Sequence, residues 1–415
     1  MPTTVTDLSN GKRWFMYVCV LITCISMFFN MFKAPTLFPA FIETLGFTPD
    51  NIGLMMSMFT IMGIVLAFPA GFIVNKLGIK LTLLITTGAF VIGSVIGTFA
   101  TESTLMLGSR FIEGIGCGLG VVVAPAAITA IIPRQRLGFA MGAYGIVFPV
   151  GNVVAMNMTP ALYNAFGWQA AWWAGAVVAG FAFILVFLFF KIPAGESGIH
   201  VEPAQSESKV KLRPDWIGIA LCALAFGIWN YIWGGGAFSF YPTFLQTEMN
   251  LDVAQSGFIT GIPSFLMLFL APLSGLVSDK LNTRKWLIVF SFVGTAIMFA
   301  IAFTASLPVV YAFVVIESVF AVCVTTGVYS LVPELARSQK AQSYGISLVT
   351  FLQNIGIFMG GISFGPLVSA FGWSGASQFS CVPMAILMAI AAAVFIKDAH
   401  KSRRGTAAKE EPQAT

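Results

Sequence analysis

The chain is predicted to be an all-α polytopic membrane protein, with twelve transmembrane helices in two pseudo-symmetric six-helix bundles. Three observations carry that reading: too little charge to cover a water-facing surface, twelve apolar runs of spanning length, and motifs that recur once at a near-constant offset. Of 415 residues, 57% are apolar types and 9% are Asp, Glu, Lys or Arg, against roughly 25% charged residues in a soluble protein. That composition excludes ordinary cytosolic enzymes, secreted disulfide scaffolds, disordered chains and nucleic-acid-binding modules. The net charge of +5 does not imply a nucleic-acid partner, because the bases are scattered in pairs. All six cysteines (Cys19, Cys24, Cys117, Cys222, Cys323, Cys381) sit in apolar stretches and read as small packing residues. His200 and His400 fall in hydrophilic segments. No metal ligand set and no cofactor are expected.

A span needs about 20 mostly apolar residues. Such runs lie near 14–39, 50–73, 81–100, 104–132, 138–163 and 168–190, then near 216–241, 252–277, 286–306, 308–332, 341–368 and 373–396. The first follows Lys12 and Arg13 and is too long for a signal peptide, so it is expected to be retained. The predicted organisation is a first bundle over 1–190, a linker over 191–214, a second bundle over 215–396 and a tail over 397–415. The linker is rich in Ser, Pro and charge (Glu196, Glu202, Glu207, Lys209, Lys211, Arg213) and reads as flexible. With both termini cytoplasmic, the inner loops carry Lys76, Lys80, Arg134, Arg136, Lys280, Arg284, Lys285, Arg337 and Lys340. The outer loops then carry Glu43, Asp50, Glu102, Glu248 and Asp252 and no base. Basic loops stay inside, so this orientation is expected.

The repeat is explicit. Gly71-Phe-Ile-Val-Asn75-Lys76-Leu77-Gly78-Ile79-Lys80 aligns with Gly275-Leu-Val-Ser-Asp279-Lys280-Leu281-Asn282-Thr283-Arg284 at an offset of 204, which also relates Glu113 to Glu317 and Gly53 to Gly257. Ala165-Phe166-Gly167-Trp168 recurs as Ala370-Phe371-Gly372-Trp373 at 205. Several independent matches at one offset indicate two related halves.

These residues resemble the major facilitator superfamily of secondary transporters. Its loop signature, Gly-x-x-x-Asp-Arg/Lys-x-Gly-x-Arg/Lys-Arg/Lys, lies between the second and third helices and is echoed between the eighth and ninth. The segment Arg110-Phe-Ile-Glu113-Gly114-Ile-Gly116 is similar to the family's fourth-helix pattern. The resemblance implies two bundles flanking a central cavity lined by the first, fourth, seventh and tenth helices, with alternating access by rocking of the halves. It also implies an inner gate built from Gly71, Asn75, Lys76, Lys80 and Arg136 in the first half and Gly275, Asp279, Lys280 and Arg284 in the second. Asn75 stands where the family carries Asp, so the first copy lacks that charge. In the fifth span, Gly138, Gly142, Gly145, Pro149 and Gly151 resemble the glycine–proline pattern of the family's exchangers.

Four ionisable residues remain inside spans: Lys33, Arg110, Glu113 and Glu317. A mid-bilayer charge costs about 2.5–3.5 kcal/mol on insertion scales and needs a partner or a wet cavity. Lys33 and Arg110 are expected about six residues from the outer end, roughly 9 Å deep. Glu113 follows one turn deeper on the face of Arg110, and Glu317 has the equivalent place on the tenth span. Two readings stand. Either Arg110 and Lys33 pair with acids to hold helices together, or the cations bind a substrate anion while Glu113 or Glu317 carries a coupling proton. On the second reading Asn30, Trp229, Asn230, Tyr231, Trp233 and Asn354 complete the substrate shell, with Asn152 and Gln353 as weaker members. Intramembrane amides also bond neighbouring helices.

The glycines from Gly114 to Gly120 are not a phosphate loop, since no Lys-Ser/Thr follows them. The expected function is secondary active transport of a small organic solute, an anion such as a carboxylate, by proton symport or exchange. The alternatives are proton-driven efflux of hydrophobic or cationic compounds and, from another class, a non-transporting receptor. The partners implied are a small-molecule substrate, a proton or counter-substrate and the lipid bilayer, with no nucleic acid and a monomer as the working unit. The expected location is the cell membrane.

Overall fold

The computed structural model describes residues 10–67, 69–191, 214–281 and 284–396. His200, His400, the 192–213 part of the linker and the 397–415 tail lie outside the described residues, as do the side chains of Asp279 and Lys280. The first half runs through α1 (Asn10–Phe32), α2 (Phe38–Leu45), α3 (Leu54–Leu66), α4 (Pro69–Leu77) and α5 (Ile79–Thr98). It continues through α6 (Ser103–Ile131), α7 (Arg134–Tyr144), α8 (Val147–Phe166) and α9 (Gln169–Phe189). The second half comprises α10 (Trp216–Asn230), α11 (Tyr241–Thr247), α12 (Val253–Leu281), α13 (Arg284–Ile301), α14 (Leu307–Ala336), α15 (Gln339–Ala376) and α16 (Val382–Phe395).

Twelve spans result among the described residues. The first, second, fifth and seventh are each split: α1 with α2, α3 with α4, α7 with α8, and α10 with α11. The apolar stretch from Ala341 to Phe395 would be about 80 Å long as one rod, far more than a bilayer of about 30 Å. It is two spans, divided at Gly372. The first span is longer than the sequence suggested, beginning at Asn10 and continuing past a break to Leu45. Pro35 explains the break. It has no N–H to give to Met31 O one turn back, so α1 ends at Phe32 and a short 3₁₀ turn over Pro35–Leu37 redirects the chain into α2.

The repeated Ala-Phe-Gly-Trp motif is a turn used identically in both halves. Gly167 (φ 82°, ψ 173°) and Gly372 (φ 69°, ψ 173°) share a conformation open essentially to glycine alone. The following tryptophan packs edge-on against the segment that extends the half's first span past its break. Trp168 lies 5.6 Å from Phe41 between ring centroids, and Trp373 lies 5.7 Å from Phe244. The extensions are themselves a repeat that the sequence reading did not use. Phe38-Pro39-Ala40-Phe41 in α2 corresponds to Tyr241-Pro242-Thr243-Phe244 in α11.

The halves meet along two seams, α3 against α15 and α8 against α12. Both are tight toward the end that carries Glu43, Asp50, Glu248 and Asp252, here the acidic end. At the first seam Gly53 abuts the backbone of Gly361, and Ser57 Oγ donates to Phe358 O at 2.8 Å. At the second, Gly257 abuts Met156 O, and Ser264 Oγ donates to Asn152 Oδ1 at 2.8 Å. Gly53 and Gly257 are the pair that the offset of 204 relates, so the repeated glycine is a seam contact in each half. The extensions complete the closure: Gln246 Nε2 donates to Thr36 O at 3.0 Å, and Phe38 and Phe240 lie 5.4 Å apart.

At the opposite, basic end the seam is open. A side chain added at Gly71 or Gly275 would meet nothing within contact distance. Phe72, Phe139, Leu276 and Tyr344 are exposed there. The buried cluster at that end, around Cys19, Val74, Leu83, Ile128 and Val186, draws on the first half alone. Gly361→Leu would drive a side chain into Ser57 and the Gly53 backbone. We expect it to prevent closure of the acidic end, seen as a longer distance between spin labels at positions 43 and 248. An unchanged distance would show that the glycine contact does not set the closure.

Candidate functional site

The break in α1 exposes carbonyls that must find donors inside the membrane. Arg110, on α6, supplies them. Its Nη2 donates to Met31 O at 3.2 Å, the carbonyl that Pro35 leaves unbonded, and its Nη1 donates to Asn30 O at 2.7 Å. Its Nε reaches Met55 O on α3 at 3.1 Å. The guanidinium therefore caps the end of α1, where the helix dipole is negative, and ties it to α3.

Such a cation requires a counter-charge, and Glu113, three residues along the same helix, provides it. Arg110 Nη1 lies 2.6 Å from Glu113 Oε2. The other carboxylate oxygen takes Lys33, with Nζ 2.7 Å from Oε1. Lys33 spends its remaining hydrogens on Asn30 Oδ1 and Ser94 Oγ, both at 2.8 Å. Ser94 Oγ also donates to the carboxylate, 2.7 Å from Oε1. Lys33 Nζ sits 4.5 Å from the Trp172 ring centroid, and the Arg110 guanidinium carbon sits 4.3 Å from that of Phe59. Gly93 and Gly175 leave the space; a side chain at Gly175 would strike Asn30 and Lys33.

Lys33, Arg110, Asn30 and Glu113 are each 0% exposed. In this conformation neither cation borders an open cavity. Every donor of Lys33 and the guanidinium's reach are taken up by groups of the first bundle. The paired reading of these residues is the one that the geometry follows.

The second half is built otherwise. Glu317 on α14 is 0% exposed, and its Oε1 accepts from Thr295 Oγ1 at 3.0 Å. Its Oε2 has no partner among the described residues. At the repeat offset, Lys33 corresponds to Ala237, Arg110 to Val314 and Ser94 to Met298, so the acid is retained while both cations are replaced. The second half also holds two π-helical segments, Tyr231–Gly235 in the seventh span and Ser377–Cys381 in the twelfth.

The remaining predicted residues fall into two groups. Asn354 is packed against Gly63 at the α3–α15 seam, its Nδ2 donating to Thr350 O at 2.9 Å. Trp229, Asn230, Tyr231 and Trp233 are all buried on the seventh span. There Trp229 stacks on Trp233 (5.9 Å), Trp233 stacks on Phe238 (4.1 Å), Asn230 Nδ2 donates to Phe226 O at 2.8 Å, and Tyr231 hydroxyl meets Ser363 Oγ at 3.0 Å. Ser57 and Ser264 were missed, because an isolated serine in a span carries no sequence signal. At the basic end, Arg284 pairs with Glu334 at 2.7 Å and donates to Ser330 O at 3.0 Å. Lys80 instead donates to Phe187 O at 2.9 Å, since Ala130 occupies the place that corresponds to Glu334. Asn75, Lys76 and Arg136 are exposed. A groove of about 460 Å³ between α12, α13 and α14 is lined by Leu273, Trp286, Phe290 and Val319 and includes none of the predicted site residues.

Two six-span bundles, joined at one end of a polar seam and parted at the other, with charge sealed inside one bundle, define a membrane transporter rather than an enzyme. The family profile of the Major Facilitator Superfamily matches residues 18–283 and again 216–415, and the chain belongs to that family. Among similar proteins, a probable nitrate transporter of Staphylococcus epidermidis is 26% identical over 371 residues, 86% of this chain and 88% of the relative. A probable sulfoacetate transporter of Cupriavidus necator is 24% identical over 258 residues, 59% of this chain and 60% of the relative. Two solved structures share the fold. A bacterial homolog of the human lysosomal transporter Spinster, inward-facing and unoccupied, has a TM-score of 0.76 at 15% identity, covering 96% of this chain and 99% of that one. A D-xylose–proton symporter has a TM-score of 0.74 at 14% identity, covering 93% and 98%.

Removing one member of a buried ion pair strands the other and costs about 3–5 kcal/mol. Glu113→Gln and Arg110→Gln are each expected to lower thermal stability strongly in detergent, with Arg110→Lys rescuing little because an ammonium cannot span the same carbonyls. Wild-type melting of Arg110→Gln would mean that the guanidinium is not a structural cap.

Proposed function

We propose that this transporter moves a small anion across the cell membrane by alternating access, as a monomer with both termini in the cytoplasm, driven by proton symport or exchange. The observation that carries the anion reading is the charge balance within the spans. Two cations, Lys33 and Arg110, share one carboxylate, Glu113, while Glu317 has no counter-charge among the described residues, where a neutral acid is the less costly buried form. The membrane interior is thus left at about one net positive charge, and low dielectric lets that field reach the seam. Nitrate and sulfoacetate, which name two of the relatives, are both anions and support the reading.

In this scheme the anion sits at the seam, where neutral amides meet it: Asn152, held by Ser264, on one side and Asn354 on the other, with Trp229, Asn230, Tyr231 and Trp233 forming the wall from the seventh span. Lys33 and Arg110 act on it through the field rather than by contact. In the proposed orientation the open basic end faces the cytoplasm. The loops bearing Gly71, Asn75, Lys76, Lys80 and Arg136, and Gly275, Asp279, Lys280 and Arg284, form the gate that closes when the acidic end opens. Export of a cationic compound is disfavoured by the same field.

Uptake and counterflow in proteoliposomes test this. Nitrate or sulfoacetate is expected to be taken up, and tetraphenylphosphonium is not. Transport of the cation without either anion would reverse the assignment. Asn152→Leu and Asn354→Leu are each expected to raise the KM for the anion about tenfold, the loss of roughly one good hydrogen bond, with the protein still folded.

A further inference from the structure

The two halves part company at one place that the fold repeats. In the first half the second span breaks after Leu66, and α4 packs on α6. Leu66, Ala70 and Leu119 thereby form one buried cluster. That approach depends on glycine, since a side chain at Gly118 would strike Met62 O and Leu66. At the offset of 204, Gly118 becomes Val322. The branched side chain holds α14 off α12, which runs unbroken from Val253 to Leu281. The counterparts Leu270, Ser274 and Cys323 do not close on one another but line the groove of about 460 Å³. Its flank changes in the same sense. Trp286 and Phe290 of α13 stand where α5 has Thr82 and Thr86, and Lys285 stands where it has Leu81.

The groove opens away from the seam. Trp286, Phe290, Val293 and Ile297 are exposed and recur at helical spacing as one apolar stripe on α13, the face that a span turns to lipid. Leu273 and Val277 are exposed on the α12 side. Ser274 Oγ is already bonded to Thr326 Oγ1 at 2.6 Å, so the lining has no free hydroxyl with which to hold water. Leu270 lies eleven residues before the end of α12 at Leu281, about 17 Å along the helix, which is about one leaflet of a hydrocarbon core of roughly 30 Å. The shape is that of a single acyl chain entering from the basic end. At its mouth Arg284 is engaged by Glu334 and Ser330 O. Lys285 pairs with no acid among the described residues, and its Nζ lies 5.3 Å from the Trp286 ring centroid. A tryptophan at this level sits among lipid headgroups, and a base beside it favours an anionic one.

We propose that the groove between α12, α13 and α14 seats one acyl chain of an anionic phospholipid from the leaflet at the basic end, with Lys285 holding the phosphate headgroup. Lipid tails are as apolar as leucine, so the chain is kept by van der Waals contact with a surface that would otherwise face a void, and the headgroup charge selects the lipid. The site belongs to the second half alone, and it backs α12 on the side opposite its seam with α8. It holds whichever solute is carried.

The test uses the purified full chain, stripped of lipid in detergent, titrated with phosphatidylglycerol or phosphatidylcholine of identical chains and read by native mass spectrometry. Phosphatidylglycerol is expected to bind about fivefold more tightly, the order of effect of one base near a membrane surface. Lys285→Gln is expected to erase that preference while phosphatidylcholine still binds. Val319→Trp fills the groove from its lipid side with the base intact and is expected to weaken both lipids. Equal wild-type affinity for the two lipids, or a preference that survives Lys285→Gln, overturns the proposal, as does undiminished binding to Val319→Trp. A dimer that Val319→Trp dissociates would assign the groove to a second copy of the chain and overturn it as well. In nanodiscs, phosphatidylglycerol with a mid-chain diazirine is expected to label Leu270, Leu273 or Phe290; labelling confined to other spans overturns the location.

Discussion

The structure depends on a missing hydrogen. Pro35 deprives Met31 O of its donor in the middle of an apolar span, and a carbonyl in that setting cannot turn to water. Arg110 makes good the loss from a neighbouring helix, and its charge then demands Glu113 within reach. Glu113, with two oxygens to satisfy, holds Lys33 as well, which draws in Asn30 and Ser94. One proline thus accounts for a network that joins α1, α3, α5 and α6. It also accounts for α2, the segment redirected by the break, whose Phe38 and preceding Thr36 close the acidic end against Phe240 and Gln246. The buried charges are therefore mechanically continuous with the closure of the acidic end.

Comparison of the halves separates what the fold requires from what it tolerates. The turn glycines Gly167 and Gly372, the tryptophans after them, the phenylalanines of α2 and α11, and the seam glycines Gly53 and Gly257 are kept in both. These positions fix where six helices turn and how closely two bundles approach, and each bundle needs them equally. The acid is kept as Glu317, but the two cations are not. At the counterpart of the α1 break, the second half uses a π-helical segment over Tyr231–Gly235, which rearranges backbone bonds internally, and no guanidinium is needed. Without counterparts of Arg110 and Lys33, Glu317 is bonded by the Thr295 hydroxyl alone among the described residues.

Much of this was legible in the residues. The twelve spans, the two halves and the turn motif follow from apolar length and repeated glycines, because these reflect local backbone demands. The four intramembrane charges stood out for the same reason: each violates the composition around it. Their partners were not fixed by sequence. The spacing of Arg110 and Glu113 on one helix face was readable, but Lys33 reaches Glu113 across 80 positions, and only the angle of α1 after its break decides whether that lysine faces the seam or the bundle. The split spans were partly hidden too. Pro35 and Pro69 were visible, yet a proline in a span bends or breaks it according to which neighbour supplies the lost bond. The seam serines have no such signature at all.

An uncharged seam beside a sealed positive charge has a consequence for turnover. A direct ion pair between a guanidinium and an anion in a dry site would be strong and slow to release, whereas a carrier must let its cargo go at each half-cycle. In the proposed scheme the seam amides Asn152 and Asn354 orient the anion with bonds of modest net strength. The field of Lys33 and Arg110 would supply the preference of sign without contact. Specificity for an anion and readiness to release it would then be properties of different residues, and the cations would not need to touch the substrate.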